Sequence, residues 1–220
     1  MNIFRIAITL FIFCQSHSVL ADGLLVYIPT TLGVSKIEKK ISALTSAKVT
    51  GFAKYGDFEA AIEATNPDGI ITTAALADSI EGYAPVAGLK INGADKSKYI
   101  LLSLDPKTKV ADPKTKIGSV EFIKRTKVKD YLQKIFGATA IGSVKTVSKV
   151  EDLFPLLVFK SVDVVALLPS TYDELKEKFN TTVHEVGSSQ EVQPLTLYQK
   201  GGGELKKDFE GLKDLDFNSK

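Results

Sequence analysis

The sequence is poor in the residues on which most metal and redox chemistry depends. It contains one cysteine, Cys14, two histidines, one methionine and no tryptophan. Cys14 lies in an N-terminal segment that we expect to be removed on export, which excludes disulfides, thiolate catalysis and cysteine metal sites from the mature chain. His184 is then the one remaining histidine, too few for a histidine-based metal centre. We expect no metal and no cofactor.

Sequence motifs for common enzyme classes are also missing. The chain has no G-x-S-x-G nucleophile elbow, no G-x-G-x-x-G fingerprint and no Walker A sequence. The glycines at 201–203 precede a predicted helix, but no lysine follows at the phosphate-binding position. We therefore expect the protein not to be an enzyme.

An excess of charge of one sign is absent as well. The 28 basic and 26 acidic residues leave a formal charge of +2, and the lysines are spread along the chain. Nucleic-acid binding and polybasic membrane contacts both need concentrated positive charge. We expect neither kind of partner.

Residues 1–21 have the pattern of a secretory signal peptide. Arg5 precedes an apolar core at residues 6–14, and Val19, Leu20 and Ala21 provide a cleavage site before Asp22. The apolar core is too short to span a membrane. The sequence therefore predicts an exported, periplasmic protein with no stable membrane insertion once the signal is removed.

The next part of the chain alternates strands with helices. Buried strands are predicted at residues 23–28, 48–55 and 69–72, and each is followed by a segment with helical spacing of apolar residues. Alternation of this kind favours parallel pairing with right-handed crossovers. We predict that these elements form one α/β lobe, comprising residues 22–103 and 193–220.

A second α/β lobe is predicted at residues 104–192. Its clearest unit is a nearly continuous apolar run at residues 162–168, typical of a strand covered on both faces, and a helix that follows Pro169. Ser170 and Asp173 have the spacing of a capping box for this helix. Gly137 is predicted to end an earlier helix as a C′ glycine.

Two extended segments lie at the borders of the second lobe. Residues 99–104 and 192–199 have a similar apolar texture, and we interpret them as paired crossover strands between the lobes. The glycines at 201–203 then lead to a predicted final helix carrying Leu205, Phe209 and Leu212 on one face. This helix is expected to pack on the first lobe.

The layout resembles the type II periplasmic substrate-binding proteins of ABC importers, and most closely their phosphate and phosphonate-binding branch. Three segments carry the resemblance: TKIGSVEFIKRTKVKDYLQKIFGA at 115–138, SKVEDLFPLLVFKSVDVVALLPSTYDELKEK at 148–178 and DGIITTAALADSIEGY at 68–83. The resemblance implies an α/β fold of two lobes. Each lobe would be a mostly parallel sheet with flanking helices, and two crossover strands would join them.

In such a two-lobe binder the ligand meets the carboxyl ends of strands from both lobes, and closure buries it. The residues at these positions are mostly hydroxyl-bearing, which suits binding of an oxyanion. The candidate ligand-binding residues are Thr30, Thr31, Tyr55, Thr72, Thr73, Ser119, Glu121, Ser170 and Thr171. The alternative is that the serines and threonines are only caps and turn formers.

Arg125 is a further candidate, because a guanidinium is a natural bidentate partner for an anion. It is the one arginine after the signal peptide. Glu121 lies four residues earlier, so an ordinary surface ion pair is the competing interpretation.

Two functional hypotheses remain. In the first, the protein captures a small, anionic solute, phosphate-like or another oxyanion, and delivers it to an inner-membrane ABC permease. In the second, the domain has no transport role and acts as a sensory or interaction partner of another periplasmic protein.

Overall fold

The computed structural model describes residues 23–110, 112–137, 141–179 and 181–217. The predicted signal peptide and its cleavage site lie outside these ranges. The described residues form eleven β-strands and five α-helices. In chain order they are β1 (Gly23–Tyr27), α1 (Val34–Ser42), β2 (Lys48–Phe52), α2 (Tyr55–Thr65), β3 (Gly69–Thr72), β4 (Tyr83–Ile91), β5 (Ser97–Ser103), β6 (Ile117–Val120), α3 (Arg125–Phe136), β7 (Val144–Val147), α4 (Leu153–Val158), β8 (Val164–Leu167), α5 (Pro169–Lys176), β9 (His184–Val192), β10 (Leu195–Lys200) and β11 (Asp216–Phe217).

The strands form two sheets, one in each lobe. The first sheet has the order β11-β4-β10-β3-β1-β2 and the second has the order β7-β6-β8-β5-β9. Strands β1, β2 and β3 pair in parallel, as do β6, β7 and β8. Both sheets also contain antiparallel pairs, made by β10 and β5. The predicted two-lobe α/β architecture is confirmed, with mixed sheets.

Two long extended segments cross between the lobes and pair with each other. The first consists of β4 and β5 and the second of β9 and β10; β4 pairs with β10, and β5 pairs with β9. The predicted pairing of residues 99–104 with 192–199 is therefore wrong: residues 97–103 pair with residues 184–192, and residues 195–200 pair with β4. The first crossing lies at residues 92–96, before the predicted boundary at residue 103, because β5 hydrogen-bonds to β8 and β9 in the second sheet.

The helices follow the apolar spacing of the sequence. Helix α1 buries Ile37 and Ile41, and α3 buries Val128, Leu132 and Ile135, which recur at intervals of three and four residues. Gly137 ends α3 in the left-handed conformation with φ of 61°, which confirms its predicted role. Strand β8 is buried at all four residues, as expected for a strand covered on both faces.

The C-terminal segment differs from its prediction. The expected α-helix is a 3₁₀ helix at Lys207–Leu212, and it is followed by the short strand β11, which pairs with β4. Phe209 and Leu212 are buried against the apolar residues of the first sheet, so the segment does pack on the first lobe.

One apolar cluster extends through both lobes. It includes Tyr27 and Phe58 from the first lobe and Tyr99 and Phe122 from the second. We call this shared part of the cluster the interlobe seam. Because its residues are buried, the lobes meet in a closed arrangement. Among the residues described, no helix combines the length and apolar character needed to cross a membrane.

Candidate functional site between the lobes

A carboxylate from the second lobe is bound by the turn that follows β1. Thr30 Oγ1 donates to Glu174, lying 3.0 Å from both carboxylate oxygens. The Thr31 backbone N–H and the Thr31 hydroxyl each donate to Glu174 Oε2 at 2.8 Å. We call the Thr30–Thr31 turn the oxyanion cradle. Within the described chain, no lysine, arginine or histidine forms an ion pair with Glu174, so neutral donors alone hold this charge.

The local sequence explains why the cradle has this shape. Strand β1 ends at Tyr27, and Pro29 cannot donate to a continuing ladder, so the chain turns at the carboxyl end of a parallel strand. Thr30 Oγ1 also accepts a hydrogen bond from Leu32 N at 3.3 Å, which tightens the turn. Its donors therefore point into the crevice at the strand ends, where α/β sheets bind ligands.

The residues that follow β3 and open α5 lie beside the cradle. Thr73, Ser170 and Thr171 line a small cavity together with Thr30 and Glu174. The cavity volume is about 10 Å³, roughly the space that one water molecule needs. The structure thus brings together five of the predicted site residues: Thr30, Thr31, Thr73, Ser170 and Thr171.

A larger cavity of about 170 Å³ lies on the other side of the cradle. Thr30 and Thr31 line it from the first lobe, and Ser148, Lys149 and Glu151 line it from the second. Helix α1 begins at this wall; its N-cap residue makes no side-chain capping bond, and its first turn carries no acidic residue. The positive end of the α1 dipole therefore faces the cavity without compensation from its own side chains.

Tyrosines close the crevice between the cradle and α3. The Tyr27 hydroxyl donates to the backbone carbonyl of Glu121 in the other lobe. Tyr55 packs against Tyr27 with ring centroids 5.9 Å apart, and its hydroxyl donates to Glu59 at 3.3 Å. Burial, and to a smaller extent the nearby carboxylates, raise the pKa of both phenols well above their usual range. Tyr55 thus contributes its ring to the seam, and its hydroxyl contacts Glu59 of its own helix and the backbone of Lys124 in the second lobe.

Three other candidates occupy different environments. Ser119 lies within β6, not after it, and its fully buried hydroxyl donates to the Val120 carbonyl at 3.3 Å. Arg125 donates from Nε to Glu121 Oε1 at 2.6 Å, and 68% of its side chain is exposed. Glu121 also accepts from Thr146 and Ser148 at 3.4 Å. The structure therefore shows the surface ion pair of Glu121 and Arg125.

The predicted capping box at the start of α5 is wrong. The helix begins at Pro169, Leu168 is its N-cap residue, and no side chain caps it. Asp173 instead pairs with Lys176 at 2.6 Å on the exposed face. Sequence reasoning missed Glu174, although one signal was available: Glu174 lies four residues after Ser170, on the same helical face.

Two of the predicted site residues, Thr72 and Thr73, have buried hydroxyls without a partner among the described residues. Burial without a partner costs about 1–3 kcal/mol. We expect Thr72→Val and Thr73→Val each to raise the free energy of unfolding by about 1 kcal/mol, measured by urea denaturation.

The two substitutions are matched controls for each other. Thr73 lines the small cavity and Thr72 does not. Because the small cavity has room for about one water molecule beside Thr73, Thr72→Val is the variant in which the gain in stability should be complete. Loss of stability in either variant would instead mean that its hydroxyl holds a buried water.

Neither the family models nor the curated protein sequences contain a match to this chain. Its fold does match solved structures. The substrate-binding protein of an amino acid ABC transporter has a TM-score of 0.59 and 12% identity, with 87% of this chain and 89% of that chain covered. A VFT2 domain of BvgS from Bordetella pertussis has a TM-score of 0.58 and 9% identity, with coverage of 87% and 84%.

A third match is the GluR0 ligand-binding core from Nostoc punctiforme in complex with L-glutamate. Its TM-score is 0.57 and its identity is 16%, with 82% of this chain and 85% of that chain covered. At these identities the matches establish the fold, while the resemblance to the phosphate and phosphonate branch stays a prediction. The chain has the two-lobe fold of the type II periplasmic binding proteins.

Proposed function

We propose that this protein binds a small solute carrying a carboxylate or a comparable oxyanion between its two lobes. One observation carries the proposal: the oxyanion cradle already binds a carboxylate, that of Glu174, through one backbone N–H and two hydroxyls. Hydrogen bonds to an ionised group are about twice as strong as neutral ones, and exclusion of water strengthens them further. A solute with the same acceptor group satisfies the same donors.

The 170 Å³ cavity next to the cradle supplies room for such a solute. The uncapped start of α1 and the ammonium group of Lys149 favour an anion there. Glu151 lies in the same wall and favours a ligand that also carries an amine. Phosphate-like anions, simple carboxylates and zwitterionic amino acids are therefore the three classes to compare. The fold shared with the binding protein of an amino acid ABC transporter supports the third.

In this proposal the protein is exported and acts by binding alone, without an enzymatic step. Delivery of the solute to an inner-membrane ABC permease is the first role. The second is a sensory or interaction role without transport, and the packed seam favours it, because lobes held together by their own side chains present a defined surface to a partner protein. Recovery of a permease in pull-downs from periplasm and membrane would support transport, and recovery of a different stable partner would support the second role.

A solute panel tests the binding proposal. Phosphate, a phosphonate, acetate, glutamate and alanine are added separately, and thermal unfolding is followed for each. At a concentration of about 100 Kd, a bound solute stabilises the protein by about 2.7 kcal/mol, which raises the Tm of a domain of this size by about 5–10 °C. A Thr30→Val, Thr31→Val double variant should lose this shift. If no member of the panel shifts the Tm of the wild-type protein, the proposal is wrong.

A further inference from the structure

We propose that Glu174 is an internal ligand: its carboxylate locks the two lobes together by occupying the oxyanion cradle, and an external oxyanion binds only by displacing it. This inference rests on the proposed function and adds its regulation. The geometry favours it, because Glu174 belongs to the second lobe and the hydrogen-bond donors that it meets among the described residues belong to the first. Glu174 therefore offers the cradle the same kind of acceptor atoms that an oxyanion solute would offer.

The chemistry of the contact makes it displaceable. Glu174 is half-buried, and within the described chain it has no cationic partner. Its release from the cradle therefore leaves no buried positive charge unpaired. An incoming carboxylate or phosphate presents the same acceptor oxygens to Thr30 and Thr31. The exchange thus conserves the number of charge-assisted hydrogen bonds. A solute gains affinity only from contacts that Glu174 does not make, such as those of the adjoining cavity.

Competition of this kind lowers the apparent affinity. The observed Kd equals the intrinsic Kd divided by the fraction of molecules in which the cradle is free. We call the contact between Glu174 and the cradle the latch. If the latch is about as strong as one charge-assisted hydrogen bond, the fraction of molecules with a free cradle is about one-tenth or less. Weakening the latch should then tighten solute binding by about 10-fold or more.

The test compares Glu174→Gln with Asp173→Asn. Both substitutions remove one negative charge from adjacent positions of α5, but Asp173 is exposed and contacts Lys176, away from the cradle. The first readout needs no solute: amide hydrogen exchange at Thr31, whose N–H donates to Glu174. We expect exchange about 10-fold faster in Glu174→Gln and unchanged in Asp173→Asn.

The second readout is the affinity for acetate and for inorganic phosphate, measured by titration. We expect at least one of the two to bind Glu174→Gln about 10-fold more tightly than wild type, with Asp173→Asn equal to wild type. Equal affinities in all three proteins would overturn the internal-ligand proposal and leave the proposed function standing. Faster Thr31 exchange with no binding of either probe to any variant would overturn the proposed function, and the competition with it.

A double-mutant cycle gives the sharpest form of the test. Thr31→Val removes a hydroxyl that both Glu174 and the solute use. In the wild-type background the loss of solute contact is partly offset by a weaker latch, whereas in the Glu174→Gln background it is not. Thr31→Val should therefore weaken probe binding more in the Glu174→Gln protein than in wild type. Equal losses in the two backgrounds would show that Thr31 does not exchange one carboxylate for the other.

Discussion

Replacing Phe122 by alanine is expected to lower the free energy of unfolding by about 3–5 kcal/mol. Phe122 is completely buried and contacts Tyr99 and Tyr131, with ring centroids 5.8 and 5.3 Å away. It belongs to the cluster that both lobes share, so its removal leaves a void that neither sheet can fill by local relaxation. The loss therefore combines transfer free energy with the cost of a cavity.

Phe159→Ala provides the matched control. Phe159 follows α4 in the same lobe and is 79% exposed. Its removal should change the free energy of unfolding by no more than about 0.5 kcal/mol. Chemical denaturation followed by circular dichroism measures both variants. A loss below about 1 kcal/mol for Phe122→Ala would mean that the seam is loosely packed in solution.

Alkaline pH is expected to unfold the protein through its buried tyrosines. Tyr27 and Tyr99 are 1% and 4% exposed, and burial raises the pKa of each phenol well above the ordinary value. The unfolded chain has pKa values near 10. The folded state favours the neutral phenols, so their contribution to stability is complete below about pH 10 and is lost as the pH rises towards the folded-state values.

The size of the effect follows from proton linkage. Each tyrosine that ionises only on unfolding lowers the free energy of unfolding by about 1.4 kcal/mol per pH unit above pH 10, so Tyr27 and Tyr99 together contribute about 3 kcal/mol per unit. Burial also raises the pKa of Tyr131 to about 12, which steepens the dependence. Denaturation curves collected between pH 9 and 11 should show this slope above pH 10, where it corresponds to about two protons or more released on unfolding.

Tyr27→Phe is the control for the alkaline prediction. It removes one titrating group, so the slope should fall by about 1.4 kcal/mol per pH unit. The same variant also loses the hydrogen bond to the Glu121 carbonyl. This loss lowers the free energy of unfolding by the same amount at neutral and at alkaline pH, so the slope is the informative quantity. Phenolate absorbance that develops in the native protein, before unfolding, would contradict the prediction.

The two lobes contact each other in two ways, through the seam and through the cradle. The seam is apolar and aromatic, and opening it exposes surface that water solvates poorly. The cradle contact is polar, and a solute or water can replace it. If the proposed solute binds, its exchange should require opening at the cradle while the lobes keep contact through the seam.

Much of the architecture was predictable from local patterns. Helical spacing located α1 and α3, a continuous apolar run located β8, and Gly137 marked the end of α3. These features depend on residues close together in the chain, which is why periodicity reveals them. The same logic located Thr30, Thr31 and Ser170, because parallel strands direct their carboxyl ends to one edge of the sheet.

Long-range pairing decided what local patterns could not. Residues 97–103 are equally suited to either sheet by composition, and hydrogen bonding to β8 and β9 places them in the second. The final helix adopts 3₁₀ geometry, after which Asp216 and Phe217 pair with the distant β4. Strand propensity carries little information about the partner strand, since packing and register determine it.

The sequence by itself determined the two-lobe α/β plan and the hydroxyl-rich ends of its strands. Only the tertiary structure decided that Glu174 lies in the cradle of Thr30 and Thr31, and that tyrosines fill the space beside it. A glutamate in a helix normally faces solvent, and the spacing of Glu174 from Ser170 does not by itself reveal that donors from the other lobe will meet it. The two lobes bring α5 against the turn after β1, and the unsatisfied donors of that turn give the carboxylate its partner.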